Sequence, residues 1–229
     1  MLNRYARAFF TAIFTPTARF FLSKGISPDA VTLVGTLGVI AGALCFYPRG
    51  SFFVGTVVIT AFVFSDLVDG TMARMVQRED KFGAFWDSTL DRLADAAIFG
   101  GLAWWFGRGG NQPVLFGVCL AIMGLGAVVS YARARAEGLG VDANVGYVER
   151  SERLVGSLVA TGLAGLGVPY IQAVALWAIA IGSLVTLTQR VWLVRTELLV
   201  KARPEQKAEA EQKAQAEQKA EAEEGETSA

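Results

Sequence analysis

The stretch that decides the reading runs from Asp66 to Asp91, DLVDGTMARMVQREDKFGAFWDSTLD, and it stands between runs apolar enough for a lipid bilayer. An ionised group is expensive in hydrocarbon, so carboxylates placed there mark an ion path, a proton relay or a ligand site. Asp66 and Asp69 are three residues apart, and Asp87 and Asp91 four apart. On a helix, each pair projects from one face. The midpoint lies near Arg78, with Asp66 about 12 residues before it, Asp91 about 13 after it, and Asp69 and Asp87 each about nine away. At about 1.5 Å per residue, two antiparallel helices bring these pairs to matching depths. Four carboxylates then converge on one volume, where protons or metal ions must neutralise them. Oxygen donors without His or Cys suit Mg2+ or Mn2+, and two divalent ions balance four carboxylates. Gly70 and Ala73 leave room for a ligand or a close helix contact. Arg74 follows one turn later and can meet a phosphate, and Gly83 opens the next helix.

The surrounding chain supports a membrane setting. Of 229 residues, 53% are hydrophobic and only 18% charged, with a mean hydropathy of +0.41. A soluble domain of this size is rarely so apolar. Nearly charge-free windows of about 20 residues match the thickness of the hydrocarbon core. The expected fold is an all-α integral membrane protein with six transmembrane helices, at roughly 31–48, 52–75, 84–106, 113–134, 153–169 and 171–194. Residues 1–24 mix aromatic and apolar residues with spaced cations, the pattern of an amphipathic helix lying in the interface; they lack the features of a cleavable signal peptide. Ser27 and Pro28 then read as an N-cap and first turn. Residues 25–200 form the membrane domain.

From Lys201 the chain is low-complexity Ala, Glu, Gln and Lys, with five Lys/Arg against eight Glu. It has no apolar stripe, so residues 201–229 are expected as a solvated, charged cytoplasmic tail, partly helical or disordered. Six spans put both termini on one side. With the termini cytoplasmic, only Arg49 and Arg108 of the 16 body cations fall outside, a strong positive-inside bias. Cys45 and Cys119 lie in apolar segments and read as small buried hydrophobes. There is no histidine, so a base at neutral pH must be another side chain. The charge pattern gives no reason to expect a nucleic-acid partner.

The spacing alone leaves a metal–phosphate site and a cation- or proton-coupled transporter both open. The pattern Asp66-x-x-Asp69-Gly70-x-x-Ala73-Arg74, eight residues, then Gly83-x-x-x-Asp87-x-x-x-Asp91 resembles the signature of the CDP-alcohol phosphatidyltransferases. The resemblance covers most of residues 25–195 and extends to the six-span layout. It implies that a CDP-linked lipid, usually CDP-diacylglycerol, passes its phosphatidyl group to an alcohol and releases CMP. It implies that Asp66, Asp69, Asp87 and Asp91 hold the divalent metal, two ions, and that Asp91 is also the base. Gly70, Ala73 and Arg74 would contact the cytidine diphosphate, with Asp29, Ala30, Val31, Thr32 and Asp80 as weaker contacts. Members are often homodimers packed through their membrane helices.

The acceptor is suggested by the remaining cations. SYARARAEG holds Ser130, Arg133 and Arg135; YVERSERL holds Glu149, Arg150, Glu152 and Arg153; TQRVW holds Arg190. Convergent arginines beside a hydroxyl fit an acceptor that itself carries a phosphate, though positive-inside charge accounts for some of them. These stretches look like those of actinobacterial phosphatidylinositol phosphate synthases, which implies inositol 1-phosphate as acceptor and Ser130, Arg133, Arg153 and Arg190 as its phosphate ligands. One departure is Arg133, where lysine is expected. Phosphatidylglycerophosphate synthases, whose glycerol 3-phosphate also carries a phosphate, remain the rival. The expected location is the plasma membrane, with the site facing the cytoplasm.

Overall fold

In the computed structural model the backbone is described for residues 14–76 and 81–227, and side chains for 14–76 and 81–200. The regular secondary structure of the described residues is all helical, with no strand. A helical segment at 14–23 (α1) is followed by α2 (Pro28–Phe46), α3 (Phe52–Val63), α4 (Ser65–Met75), α5 (Lys81–Arg108), α6 (Pro113–Glu137), α7 (Arg150–Gly165) and α8 (Ile171–Thr227). The start of α2 is the expected one. Ser27 is extended and its hydroxyl accepts from the Ala30 amide, with Pro28 in the first turn, where a missing N–H costs nothing.

Among the described residues four stretches are long and apolar enough to cross a membrane: Pro28–Arg49, Phe52–Met75, Pro113–Glu137 and Ile171–Val200. The expected third and fifth spans do not meet that standard. α5 has 28 residues but carries Asp87, Asp91, Arg92 and Asp95, while α7 is only 16 residues long and opens on Arg150, Glu152 and Arg153. Both helices carry site residues; charge is what keeps α5 from that standard, and length is what keeps α7 from it. The interfacial helix expected at 1–24 lies largely outside the described residues. Its described end packs Ala18 against Val68 and Met72. The tail continues helically to Thr227 as part of α8.

Six helices close into a ring. Going round, α2 packs on α5, α5 on α6, α6 on α8, α8 on α7, α7 on α3 and α3 on α2. Its centre is filled by Val39, Ile59, Ile98, Phe99, Ile122 and Leu176. Val57, Leu120, Trp177 and Leu184 on the outside are exposed, as side chains facing lipid should be.

Two features depart from the expected helical hairpin. Its first arm breaks at Phe64, so the acids begin a new helix, α4, instead of continuing α3. The second departure concerns packing: α4 and α5 each pack on α2 and make little contact with one another among the described residues. Glycines on α2 permit this. A Cβ on Gly35 would strike the Ser65 side chain, and one on Gly38 the ring of Phe62. Small residues here let α2 wedge close to the α3–α4 break, so the gap between α4 and α5 becomes a cavity with α2 as its third wall.

Candidate active site

That cavity measures about 620 Å³ and is lined by Asp66, Asp69, Gly70 and Ala73 from α4, Gly83, Ala84 and Asp87 from α5, and Asp29 and Thr32 from α2. The Thr32 hydroxyl donates to Asp69 Oδ2 at 2.6 Å, and Asp69 is only 8% exposed. This contact ties the ISPDAVTL stretch to the acids. Three of the four acids therefore share one volume, where the spacing predicts four.

The fourth, Asp91, faces a second cavity. It measures about 720 Å³, and its wall includes Asp91, Arg92, Ser130, Arg133, Arg153 and Arg190. Arg150 Nη2 lies 2.7 Å from Asp91 Oδ1 and draws that carboxylate to this side. Ala84 and Arg150 belong to the walls of both cavities, so the two volumes meet there. Among the described residues no three acidic or thiol groups stand close enough to enclose one ion. The donor chemistry nevertheless fits a hard divalent cation: three carboxylates line one volume, and neither Asp66 nor Asp87 has an ion pair among the described residues.

Internal pairing fixes the basic cavity. Arg190 donates from Nη1 to the Val129 carbonyl at 2.8 Å, from Nε to the Val145 carbonyl at 2.9 Å, and from Nη2 to Glu149 at 3.0 Å. It therefore joins α6, the α6–α7 loop and the start of α7. Three of its five N–H donors are placed by these contacts. Arg153 is 1% exposed and donates from Nη2 to Asp95 Oδ2 at 2.9 Å. Arg92 donates to the Ser130 hydroxyl. Arg133, half-buried, pairs with Glu137 at 2.9 Å on its own helix.

All four expected acceptor ligands thus line a single cavity. The expected lipid contacts are less uniform. Asp29, Thr32, Gly70 and Ala73 line the acid cavity, but Val31 packs with the α1 and α4 apolar cluster. Ala30 is exposed, and so is Arg74, whose Nη2 donates to Thr71; neither lines the cavity. Asp80 lies outside the described residues. Two groups were not singled out as ligands or catalysts in the sequence, Arg150 and Asp95. The only signals were the i, i+4 spacing of Asp95 from Asp91 and the i, i+3 spacing of Arg150 from Arg153.

Comparison with known proteins agrees with the motif. Residues 25–188 match the CDP-alcohol phosphatidyltransferase family model. The chain is 61% identical over 204 residues to a phosphatidylinositol phosphate synthase of Streptomyces avermitilis, covering 86% of this chain and 84% of that one. Among solved structures it resembles the Mycobacterium tuberculosis phosphatidylinositol phosphate synthase with CDP-DAG bound, with a TM-score of 0.77, 38% identity, and coverage of 80% of this chain and 94% of that one. The same synthase in complex with manganese and citrate gives a TM-score of 0.77 and 38% identity, over 80% of this chain and 89% of that one. A transporter is excluded by likeness of this extent, and the acids, glycine, alanine and arginine at fixed offsets are an enzyme's signature. The chain belongs to the CDP-alcohol phosphatidyltransferase family, among its phosphatidylinositol phosphate synthases.

Proposed function

We propose that the enzyme transfers the phosphatidyl group of CDP-diacylglycerol to inositol 1-phosphate and releases CMP. The observation that carries this reading is the seam at Ala84 and Arg150, where an acid-lined and a guanidinium-lined cavity meet beside Asp91. The cytidine diphosphate occupies the acid cavity, against Asp29, Thr32, Gly70 and Ala73. The acceptor's phosphate occupies the basic cavity, held by Ser130, Arg133, Arg153 and Arg190, whose planar forks match phosphate oxygens.

At the seam, the acceptor hydroxyl oxygen bonds to the phosphatidyl phosphorus. The bond from that phosphorus to the bridging oxygen breaks, and CMP leaves with that oxygen. The hydroxyl proton passes to Asp91, the carboxylate nearest both volumes. Asp66, Asp69, Asp87 and Asp91 are the residues that would hold Mg2+ or Mn2+, two ions in this reading. Such a cation supplies neutralisation of charge on the pyrophosphate and the leaving CMP.

The same reading places α5 and α7 as spans alongside the four apolar ones, six in all, in the plasma membrane. Residues 1–24 form an interfacial helix, 25–200 the catalytic domain and 201–229 a cytoplasmic tail. Both cavities and both termini face the cytoplasm, in keeping with the cation bias. The exposed apolar outer faces suit a homodimer as well as lipid.

The test uses purified protein with CDP-diacylglycerol and Mg2+ or Mn2+, and follows CMP release with inositol 1-phosphate, glycerol 3-phosphate, free inositol and serine in parallel. Release is expected with inositol 1-phosphate. Release with glycerol 3-phosphate alone would retain the acid cavity and overturn the acceptor.

A further inference from the structure

α5 and α7 are not neighbours in the helix ring; α2 and α6 flank α5, while α3 and α8 flank α7. Side chains nevertheless join them across its interior. Asp91 and Asp95 stand one turn apart on α5, and Arg150 and Arg153 one turn apart on α7, so each pair shares a face. The four form a ladder. Arg150 Nη2 meets Asp91 at 2.7 Å, Arg150 Nε is 3.7 Å from Asp95 Oδ1, and Arg153 Nη2 meets Asp95 Oδ2 at 2.9 Å.

Asp95 is the one member that lines neither cavity. It is 8% exposed, a position in which a carboxylate is kept only when charged partners satisfy it. Its two oxygens are divided between two arginines. Arg153 has a correspondingly directed geometry: the bond to Asp95 uses Nη2, while Nε and Nη1 have no partner among the described residues. Gly126 leaves the space for the guanidinium, since a Cβ there would stand 3.0 Å from its Cζ. Arg153 borders the basic cavity, and a buried arginine anchored at one corner, with two buried donors left unpartnered, has bonding capacity that an anion can satisfy.

We propose that Asp95 is a positioning residue for acceptor binding, anchoring Arg153 by one carboxylate oxygen and steadying Arg150 by the other. It touches neither substrate. The proposal rests on the basic cavity being the acceptor's site. It differs from that reading in giving the acceptor affinity an origin on α5, the helix that also carries Asp87 of the other cavity.

The test compares wild type, Asp95→Asn, Asp95→Glu, Arg153→Gln and the double variant Asp95→Asn/Arg153→Gln. Each is purified in detergent and measured for both KM values, for kcat and for thermal unfolding. Loss of one charge-assisted bond predicts an acceptor KM raised about tenfold or more in Asp95→Asn, with the CDP-diacylglycerol KM unchanged. Asp95→Glu keeps the charge but displaces it by one methylene, so its acceptor KM falls between the two and its unfolding temperature stays near wild type. In the Arg153→Gln background, Asp95→Asn adds little, because the group it acts through is gone. If Asp95→Asn does not fold, Asp95→Glu alone decides: an acceptor KM equal to wild type overturns the proposal. Equal rises in both KM values, or additive effects in the double variant, also overturn it and leave a purely structural role. The two readings fail separately. Wild-type release with glycerol 3-phosphate alone removes inositol 1-phosphate as acceptor, and the Asp95 comparison is then made with the acceptor that turns over. Release with neither phosphate-bearing acceptor overturns both.

Discussion

The two cavities differ in how their charge is balanced. On the basic side nearly every cation has a protein partner: Arg150 with Asp91, Arg153 with Asp95, Arg190 with Glu149 and Arg133 with Glu137. On the acid side, Asp69 takes a hydroxyl from Thr32, and Asp66 and Asp87 have no ion pair among the described residues. One cavity is pre-organised by internal pairs, so little ordering remains to be done when an anion enters. The other concentrates like charge, which favours what neutralises it: cations, and through them a pyrophosphate. Specificity for the acceptor thus belongs to a built pocket, and activation of the lipid to a site that its ligands complete.

Removing the ligand of the acid side is the strongest way to break this contrast. Chelation of divalent ions is expected to abolish CMP release, with Mn2+ or Mg2+ restoring it; undiminished release in chelator would remove the metal from the reading. Asp91→Asn comes next. Loss of a general base costs about 10²- to 10⁴-fold, so turnover should fall by that order while calorimetry still detects cytidine diphosphate. Ala73→Leu sharpens the contrast from the acid side by filling space at the nucleotide. Crowding of this kind costs about 1–3 kcal/mol, so the lipid KM should rise about tenfold or more and the acceptor KM should not move. Gly126→Ala tests the basic side, because its Cβ would press on Arg153 at 3.0 Å; the acceptor KM is expected to rise a few-fold, about 1 kcal/mol. Arg133→Lys should have the smallest effect, about twofold. The Arg133–Glu137 pair is on the solvent side of the cavity, where such pairs contribute little.

How legible this was in the sequence depended on whether the signal was local. Spacing on one helix suffices to pair Asp66 with Asp69 and Asp87 with Asp91, and Ser27 and Pro28 announce the start of α2. Apolar length gives four spans directly. The spans read at 84–106 and 153–169 correspond to α5 and α7, which fall short of that standard through the charges on α5 and the 16-residue length of α7. The break at Phe64 had no proline or glycine to mark it. The wedge of α2 between α4 and α5 is a tertiary fact that depends on Gly35 and Gly38 facing Ser65 and Phe62 across 30 and 24 residues. Hairpin reasoning therefore placed four acids together, where the structure gives three and one. The α5–α7 ladder was hidden for the same reason. Asp95 and Arg153 are 58 residues apart, and only closure of the ring brings them into contact.

The most direct test of two cavities with two substrates is the pair of KM values for Arg153→Gln. Arg153 lines the basic cavity, is absent from the acid one, and is fully buried, so its charge has one place to act. A division of labour between the cavities predicts an acceptor KM raised on the order of tenfold to a hundredfold, from about 1.5–3 kcal/mol of lost charge-assisted bonding, with the CDP-diacylglycerol KM at its wild-type value. Equal rises in the two, or a rise for the lipid alone, would contradict it.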